Sequence, residues 1–145
     1  MGAKNFFTKE QQNAIVQSIT NAELNTSGEV KVRIDSKCKG DVLDVAADYF
    51  KKLEMHKTEL RNGVLFYLSV NDRKFAIFGD KGINEKVPAN FWDNIRDVML
   101  NYFKQQQFAE GLSKGIEMAG EKLKTHFPHK KNDTNELSNE LSFEK

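Results

Sequence analysis

Residues 61–82, with the sequence RNGVLFYLSVNDRKFAIFGDKG, predict the centre of the fold. Two apolar runs, 64–68 and 75–78, are joined by a short polar turn and therefore predict a β-hairpin. The first run is apolar without interruption, which is typical of a strand that is covered on both faces. In an antiparallel pair, Asn62 at the start of the hairpin and residues 79–82 at its end lie side by side.

The segments before the hairpin predict a helix, a strand and a second helix. Thr8 and Gln11 have the spacing of a capping box, and the apolar residues that follow predict an amphipathic helix to about residue 23. Residues 29–35 alternate strictly between apolar and charged side chains, which indicates a strand with one solvated face. Asp41 is the expected N-cap of the next helix. The order strand, helix, strand implies a right-handed crossover, so the first two strands should be parallel.

After the hairpin, the sequence predicts a loop to Pro88, two amphipathic helices and an end of the last helix at Pro128. Residues 129–145 are polar and are expected to form a disordered tail. A single domain should therefore occupy residues 1–128. The order of elements predicts an α/β fold, a three-layer α/β/α sandwich with a small mixed sheet and a central hairpin.

Composition excludes several classes of function. The chain has 145 residues, a formal net charge of +1 and 30% charged residues, so nucleic acid is not an expected partner. Its one cysteine, Cys38, excludes an internal disulfide framework and a cysteine-based zinc site. No apolar segment has the length of a signal-peptide core or a membrane span, so we expect a cytoplasmic protein without an integral membrane segment. For a trimmed chain, association with the cell envelope is the alternative expectation.

One group of polar residues lies where the first two strands begin and the third ends. Glu29 and Asp80 are carboxylates, and Asn62 offers a neutral oxygen, which are the hard ligands that Ca²⁺ and Mg²⁺ prefer. Asp93 or Asp97 would complete such a site if the following helix starts above this edge. In the alternative interpretation, the neighbouring glycines shape turns and the acids are solvated or cap helices, and spacing alone favours it.

A second polar group is expected at the opposite edge, beyond the ends of the first two strands. Its members are Asp35, Ser36, Asp41, Asp44, Asn71 and Asp72. Capping and turn formation account for most of them, so this edge is the weaker candidate. The sequence contains no GxSxG, Walker A or dinucleotide-binding motif, and no distinct nucleophile.

Several stretches together resemble the TPM domain family, long catalogued as a domain of unknown function. They are TSGEV at 26–30, NGVL at 62–65, DRK at 72–74, IFG at 77–79 and FAEG at 108–111. The resemblance covers residues 7–127. It implies a Rossmann-like α/β/α sandwich that binds a divalent cation, Ca²⁺ or Mg²⁺, through the matching positions Glu29, Asn62 and the 79–80 loop.

Relatives in this family include thylakoid-lumen proteins of photosystem II repair, plant members with assigned acid phosphatase activity, and accessory proteins at membranes. Many relatives carry a signal peptide and a transmembrane or glycine-rich tail, and we expect neither from the present sequence. It also has GDKG at 79–82, where relatives often have a more glycine-rich or aromatic loop.

Three hypotheses follow. The first is a cation-binding domain whose ion is held by Glu29, Asn62 and Asp80, with Asp93 or Asp97. In the second, the ion supports hydrolysis of phosphomonoesters, with Arg61 or Lys81 holding the phosphate and the catalytic residues unassigned. In the third, the protein is a non-catalytic module that binds a protein partner.

Overall fold

The computed structural model describes residues 3–129 and 139–143, and these contain six helices and four strands. The helices are α1 (Ala3–Phe6), α2 (Lys9–Asn25), α3 (Val42–Lys52), α4 (Lys81–Asn84), α5 (Asp93–Lys104) and α6 (Phe108–Leu123). The strands are β1 (Glu29–Asp35), β2 (Gly63–Ser69), β3 (Lys74–Gly79) and β4 (Ser142–Phe143). None of the helices in the described residues is long and apolar enough to cross a membrane.

The four strands form one mixed sheet in the order β3-β2-β1-β4. β1 runs parallel to β2 with Glu29 opposite Gly63, and β3 runs antiparallel to β2 with Val64 opposite Gly79. The hairpin and the parallel first pair are therefore confirmed. Every residue of β2 is buried, whereas β3 lies at the edge of the sheet with Lys74 exposed. Only one strand of the hairpin is thus central.

Helices cover both faces of the sheet, which confirms the three-layer α/β/α architecture. On one face, Val32 and Phe66 belong to the main core, together with buried residues of α2, α5 and α6. On the other face, Tyr67 packs with Ala46 of α3. The position of β1 in the main core follows from its strict alternation, which sends its apolar side chains towards the layer formed by α2, α5 and α6.

Local signals at the start of two helices behave as the sequence predicts. Thr8 and Gln11 form both hydrogen bonds of the capping box. The Asp41 carboxylate accepts hydrogen bonds from the amides of Leu43 and Asp44 at the start of α3. Such contacts depend only on residues close in sequence, so they can be predicted from local spacing.

The chain after β3 differs from the expectation. Residues 81–84 form the short helix α4 where a loop was expected, and α5 begins at Asp93 rather than near Pro88. The preceding segment makes a turn in which the Phe91 amide donates to the Pro88 carbonyl. Trp92 is buried, and a Cβ added at Gly79 would lie 3.3 Å from its ring, so packing of the indole against the sheet fixes where α5 starts.

The C-terminal tail also differs from the expectation in the part that the structure describes. β4 pairs with β1 in parallel, with Ser142 opposite Arg33 and Phe143 opposite Ile34. Leu141 and Phe143 pack against the main core, and this apolar contact explains why a polar tail returns to the sheet. Residues 130–138 and 144–145 lie outside the described residues, and the expectation for them stays a prediction.

The contact between α2 and α6 predicts a specific effect of a small substitution. A Cβ added at Gly120 would lie 2.7 Å from the Cα of Ala22, a backbone atom that cannot move alone. We expect Gly120→Ala to lower the free energy of unfolding by about 1–3 kcal/mol despite the better helix propensity of alanine. Urea denaturation followed by circular dichroism measures the change.

Gly115→Ala on the same helix is the matched control. Its Cβ would lie 2.7 Å from Cγ of Met99, a flexible side chain that can repack. We therefore expect a smaller loss of stability from Gly115→Ala than from Gly120→Ala. Equal losses, or a stabilising effect at Gly120, would contradict the close approach of the two helices.

Candidate functional site

The backbone brings three sequence-predicted segments together at one edge of the sheet. The amide of Glu29 donates to the carbonyl of Asn62 at 3.3 Å, and the amide of Asp80 donates to the carbonyl of Gly63 at 3.0 Å. The side-chain amide of Asn62 donates to Oγ of Ser27 at 3.4 Å. Glu29, Asn62 and Asp80 are therefore neighbours along the backbone of this edge, as the topology implies.

The carboxylate of Asp80 is bound by a guanidinium from within the chain. Nε of Arg61 donates to Oδ2 at 2.6 Å, and Nη2 donates to Oδ1 at 2.9 Å. Oδ1 also accepts from the amide of Lys81 at 2.8 Å and so caps α4. Because Asp80 is only 5% exposed, this bidentate pair neutralises a carboxylate that would be costly to bury alone. A metal ion would have to displace Arg61 to reach either oxygen.

The Arg61 backbone adopts a conformation that is rare for residues with a side chain. Its φ of 51° lies in the left-handed region. The amide of Gly82 donates to the Arg61 carbonyl at 2.9 Å, and a Cβ at position 82 would lie 2.6 Å from that same oxygen. Glycine at position 82 is thus required for the close approach.

Glu29 lies next to another acidic residue, Glu23, which the sequence did not indicate as a neighbour. Glu29 is 4% exposed, and its carboxyl group interacts with that of Glu23 at the end of α2. Oε2 of Glu23 accepts a hydrogen bond from the Val30 amide at 3.0 Å. Burial raises the pKa of Glu23 to about 8, the Val30 amide opposes the rise, and the charge of Glu29 adds to it. A pKa of about 8 favours the protonated form of Glu23 at neutral pH.

Asp93 and Asp97 lie elsewhere on the surface. Both line a cavity of about 480 Å³ between the start of α5 and the end of α6. Glu29, Asn62 and Asp80 do not line that cavity. Asp93 also pairs with Arg96 on the same helix. Across residues 3–129 and 139–143, no group of three or more His, Cys, Asp or Glu side chains is arranged to hold a metal ion.

The opposite edge of the sheet contains a buried polar network with a structural role. Asp35 is 3% exposed and accepts from Nε of Arg33 at 2.8 Å and from the Tyr67 hydroxyl at 2.7 Å. Burial and the adjacent Asp35 carboxylate raise the pKa of Tyr67 far above its ordinary value, so the phenol stays protonated and donates. Asp72 accepts from the Cys38 amide at 3.0 Å. These acids are occupied by contacts within the chain.

Comparison with known proteins agrees with this fold. The fold is that of a three-layer α/β/α domain with loops carrying acidic side chains at the edges of a mixed sheet. The family model described as the TPM domain matches residues 2–122, and the chain belongs to that family. No curated protein matches the chain significantly.

Solved structures with the same fold come from three bacteria. The NMR structure of the BA42 protein from the psychrophilic Bizionia argentinensis is 47% identical over 96% of both chains, with a TM-score of 0.91. The N-terminal domain of a P. gingivalis protein is 18% identical, covers 87% of this chain and 82% of its own, and has a TM-score of 0.72. The N-terminal domain of the cg2496 protein from Corynebacterium glutamicum is 13% identical over 97% and 82%, with a TM-score of 0.62. The last two show the fold alone.

The raised pKa of Glu23 predicts how stability depends on pH. The carboxyl group binds its proton more tightly in the folded chain, at a pKa of about 8 against 4.5 for the ordinary group. Its contribution to stability is therefore fully present below pH 4.5 and is lost as the pH rises to about 8. Glu23→Gln imitates the protonated form and should remove this loss.

We expect the unfolding free energies of Glu23→Gln and the unsubstituted chain to agree near pH 4.5 and to differ by about 3–5 kcal/mol in favour of the variant at pH 8.5. Urea denaturation across this range measures the difference, with the exposed Glu121→Gln as the control. A difference that is independent of pH would contradict protonation of Glu23.

Proposed function

We propose that this TPM domain protein binds a divalent cation, Ca²⁺ or Mg²⁺, at the edge of the sheet that contains Glu29. The observation that carries the proposal is the pair of carboxyl groups of Glu23 and Glu29, which the end of α2 and the start of β1 hold together, with Glu29 buried and Glu23 partly buried. Two carboxyl groups in a medium of low dielectric cannot both be charged without a compensating cation.

A proton on Glu23 supplies part of that compensation at neutral pH, and a divalent ion can replace it. Carboxylate, amide and carbonyl oxygens are the donors that both ions take. Glu23 and Glu29 would supply the charge, and Oδ1 of Asn62 is an acceptor on the neighbouring segment. Two carboxylates do not fill the coordination shell of either ion, so the remaining ligands would be backbone oxygens and water.

Asp80 could act as a ligand of the ion only if the side chain of Arg61 moved away from it. The guanidinium occupies both Asp80 oxygens, so ion binding there would exchange one cation for another. Asp93 and Asp97 are the alternative location, because both face the cavity at α5 together with the oxygens of Asn90 and Asn94. Residue-specific titration distinguishes these three places.

Calcium titration followed by NMR tests the proposal. We expect chemical-shift changes centred on Glu23, Glu29 and Asn62, and at least tenfold weaker binding in Glu29→Gln because one of the two charges is lost. The affinity should rise with pH up to about 8, since the ion displaces the Glu23 proton. Asp48→Asn, an exposed change on α3, should bind as the unsubstituted chain does.

Several results would oppose the proposed location. Changes confined to Asp93 and Asp97 would move the ion to α5, and changes confined to Asp35, Asp41, Asp44 and Asp72 would move it to the opposite edge. Enhanced affinity in Arg61→Ala would add Asp80 to the ligands. No shift changes at millimolar Ca²⁺ and Mg²⁺ would reject cation binding altogether.

Hydrolysis of phosphomonoesters is the second candidate function, and the conformation of Arg61 favours it. Arg61 is held in the left-handed region, and its side chain is 35% exposed beside the same edge, where it could bind a phosphoryl group. A bound divalent ion would act there as a Lewis acid on a phosphoryl oxygen.

We expect a chromogenic aryl phosphate to be hydrolysed only with added Mg²⁺ or Ca²⁺, and at least tenfold more slowly by Glu29→Gln and by Arg61→Ala. Release of the phenolate measures the rate, and Asp48→Asn is the control. Activity that survives both substitutions would come from another protein in the preparation. Cation binding without hydrolysis would instead support the non-catalytic interaction module.

A further inference from the structure

The C-terminal tail carries the same four residues twice in succession. Residues 135–138 and residues 139–142 both read Asn-Glu-Leu-Ser. The structure describes the second copy, and that copy lies along the outer edge of β1. An exact tandem repeat in a short polar tail raises the question of whether the edge recognises this sequence or only its last residues.

All four positions of the second copy contact the body of the domain. The side-chain amide of Asn139 donates to Oγ1 of Thr20 at 3.3 Å, and Nζ of Lys31 donates to the Glu140 carbonyl at 3.4 Å. Leu141 packs against the main core, and the Ser142 hydroxyl accepts from Nη1 of Arg33 at 3.0 Å. We call Thr20, Lys31 and Arg33 the edge site.

The Ser142 contact is the most specific one of the edge site. Arg33 is held rigidly, because its Nε binds Asp35, its Nη2 donates to the Tyr49 hydroxyl at 3.1 Å and its guanidinium lies 4.0 Å from the Tyr49 ring centre. Nη1 therefore points at a fixed position, which a serine hydroxyl in β4 occupies. Preorganised donors of this kind favour one spacing of ligand groups.

The fifth residue distinguishes the two copies. Phe143 follows the second copy, pairs with Ile34 and packs against the main core. Asn139 occupies the corresponding position after the first copy. Burial of an aromatic ring favours the second copy, whereas the four preceding side chains are the same in both.

The chain is long enough for either copy to reach the edge site. Pro128 pairs with Thr26 before β1, and the edge site ends at Arg33, roughly 23 Å further along an extended strand. The ten residue-to-residue steps from Pro128 to Ser138 span up to about 33–36 Å when extended. A shift of four residues in the tail therefore needs no change in the body of the domain.

We propose that the edge site is a binding site for the sequence Asn-Glu-Leu-Ser, filled here by residues 139–142 and able to take residues 135–138 instead. The tail then has two registers on β1 that differ by four residues. Phe143 sets the preference between them. An extended peptide with the same four residues is the ligand class that this site accepts.

Phe143→Asn provides a sharp test because it makes the two pentapeptides identical. Both copies then read Asn-Glu-Leu-Ser-Asn. NMR of the full chain, at concentrations where it is monomeric, should show two sets of signals for Arg33 and Ile34 of roughly equal population, or one averaged set if exchange is fast. The unsubstituted chain should show one dominant set.

Two double variants isolate the registers. Phe143→Asn with Leu137→Asn should retain only the register of the second copy, and Phe143→Asn with Leu141→Asn only that of the first. The triple variant with Leu137→Asn, Leu141→Asn and Phe143→Asn is the reference with a released tail. In both double variants, the edge-facing amides of residues 32–34 should exchange at least tenfold more slowly than in the triple variant.

Amide hydrogen exchange in the double variants, compared with that in the triple variant, tests the proposal. If the variant with Phe143→Asn and Leu141→Asn exchanges like the triple variant, the edge does not accept residues 135–138 and the proposal is wrong. The proposal is equally overturned if Phe143→Asn alone releases the tail. Slow exchange in both double variants supports it, and so does recovery of slow exchange in the triple variant on addition of a synthetic NELSF peptide but not of NENSN.

Discussion

The burial of β2 is the constraint on which the rest of the structure depends. A strand that is apolar on both faces needs hydrogen-bonded neighbours on its two sides and a helical layer on each face. β1 and β3 supply the neighbours, α3 covers one face, and α2, α5 and α6 cover the other. The parallel register then places Glu29 beside Gly63, and the antiparallel register places Gly79 beside Val64. The candidate site is a consequence of how β2 is buried.

The fold could be predicted largely because its signals are local or periodic. The caps at Thr8 and Asp41 involve neighbours in sequence, and the alternation of β1 reports a strand with one apolar and one charged side. β4 gives no such signal, because two residues have no periodicity and Phe143 is favoured in a strand only through its contact with β1. The start of α5 could not be predicted from periodicity either, because the packing of Trp92 against Gly79 decides where the helix begins.

The backbone positions of the candidate site could be predicted from the sequence, whereas the side-chain partners could not. Topology alone brings the backbones of Glu29, Asn62 and Asp80 to one edge. The side-chain partners depend on distances that no sequence pattern reports: Arg61 binds Asp80, which lies 19 positions further along the chain. Glu23 gives no signal as a helix-end residue, and only its contacts with Glu29 and the Val30 amide identify it. An acidic residue near a predicted cation site is therefore available as a ligand only if no positively charged side chain of the same protein already binds it.

The outer edge of β1 connects the acidic pair of Glu23 and Glu29 with the C-terminal tail. An uncovered edge strand exposes amides that can pair with other chains, and proteins cover such edges in several ways. Here β4 covers the part near Arg33, and the Glu23 carboxyl group binds the amide of Val30 further towards the start of the strand. Because Asn139 also donates to Glu23, the acidic pair and the tail share one hydrogen-bonded segment. Any change in the charge carried by Glu23 therefore acts on the hydrogen bond that Asn139 of the tail donates to it.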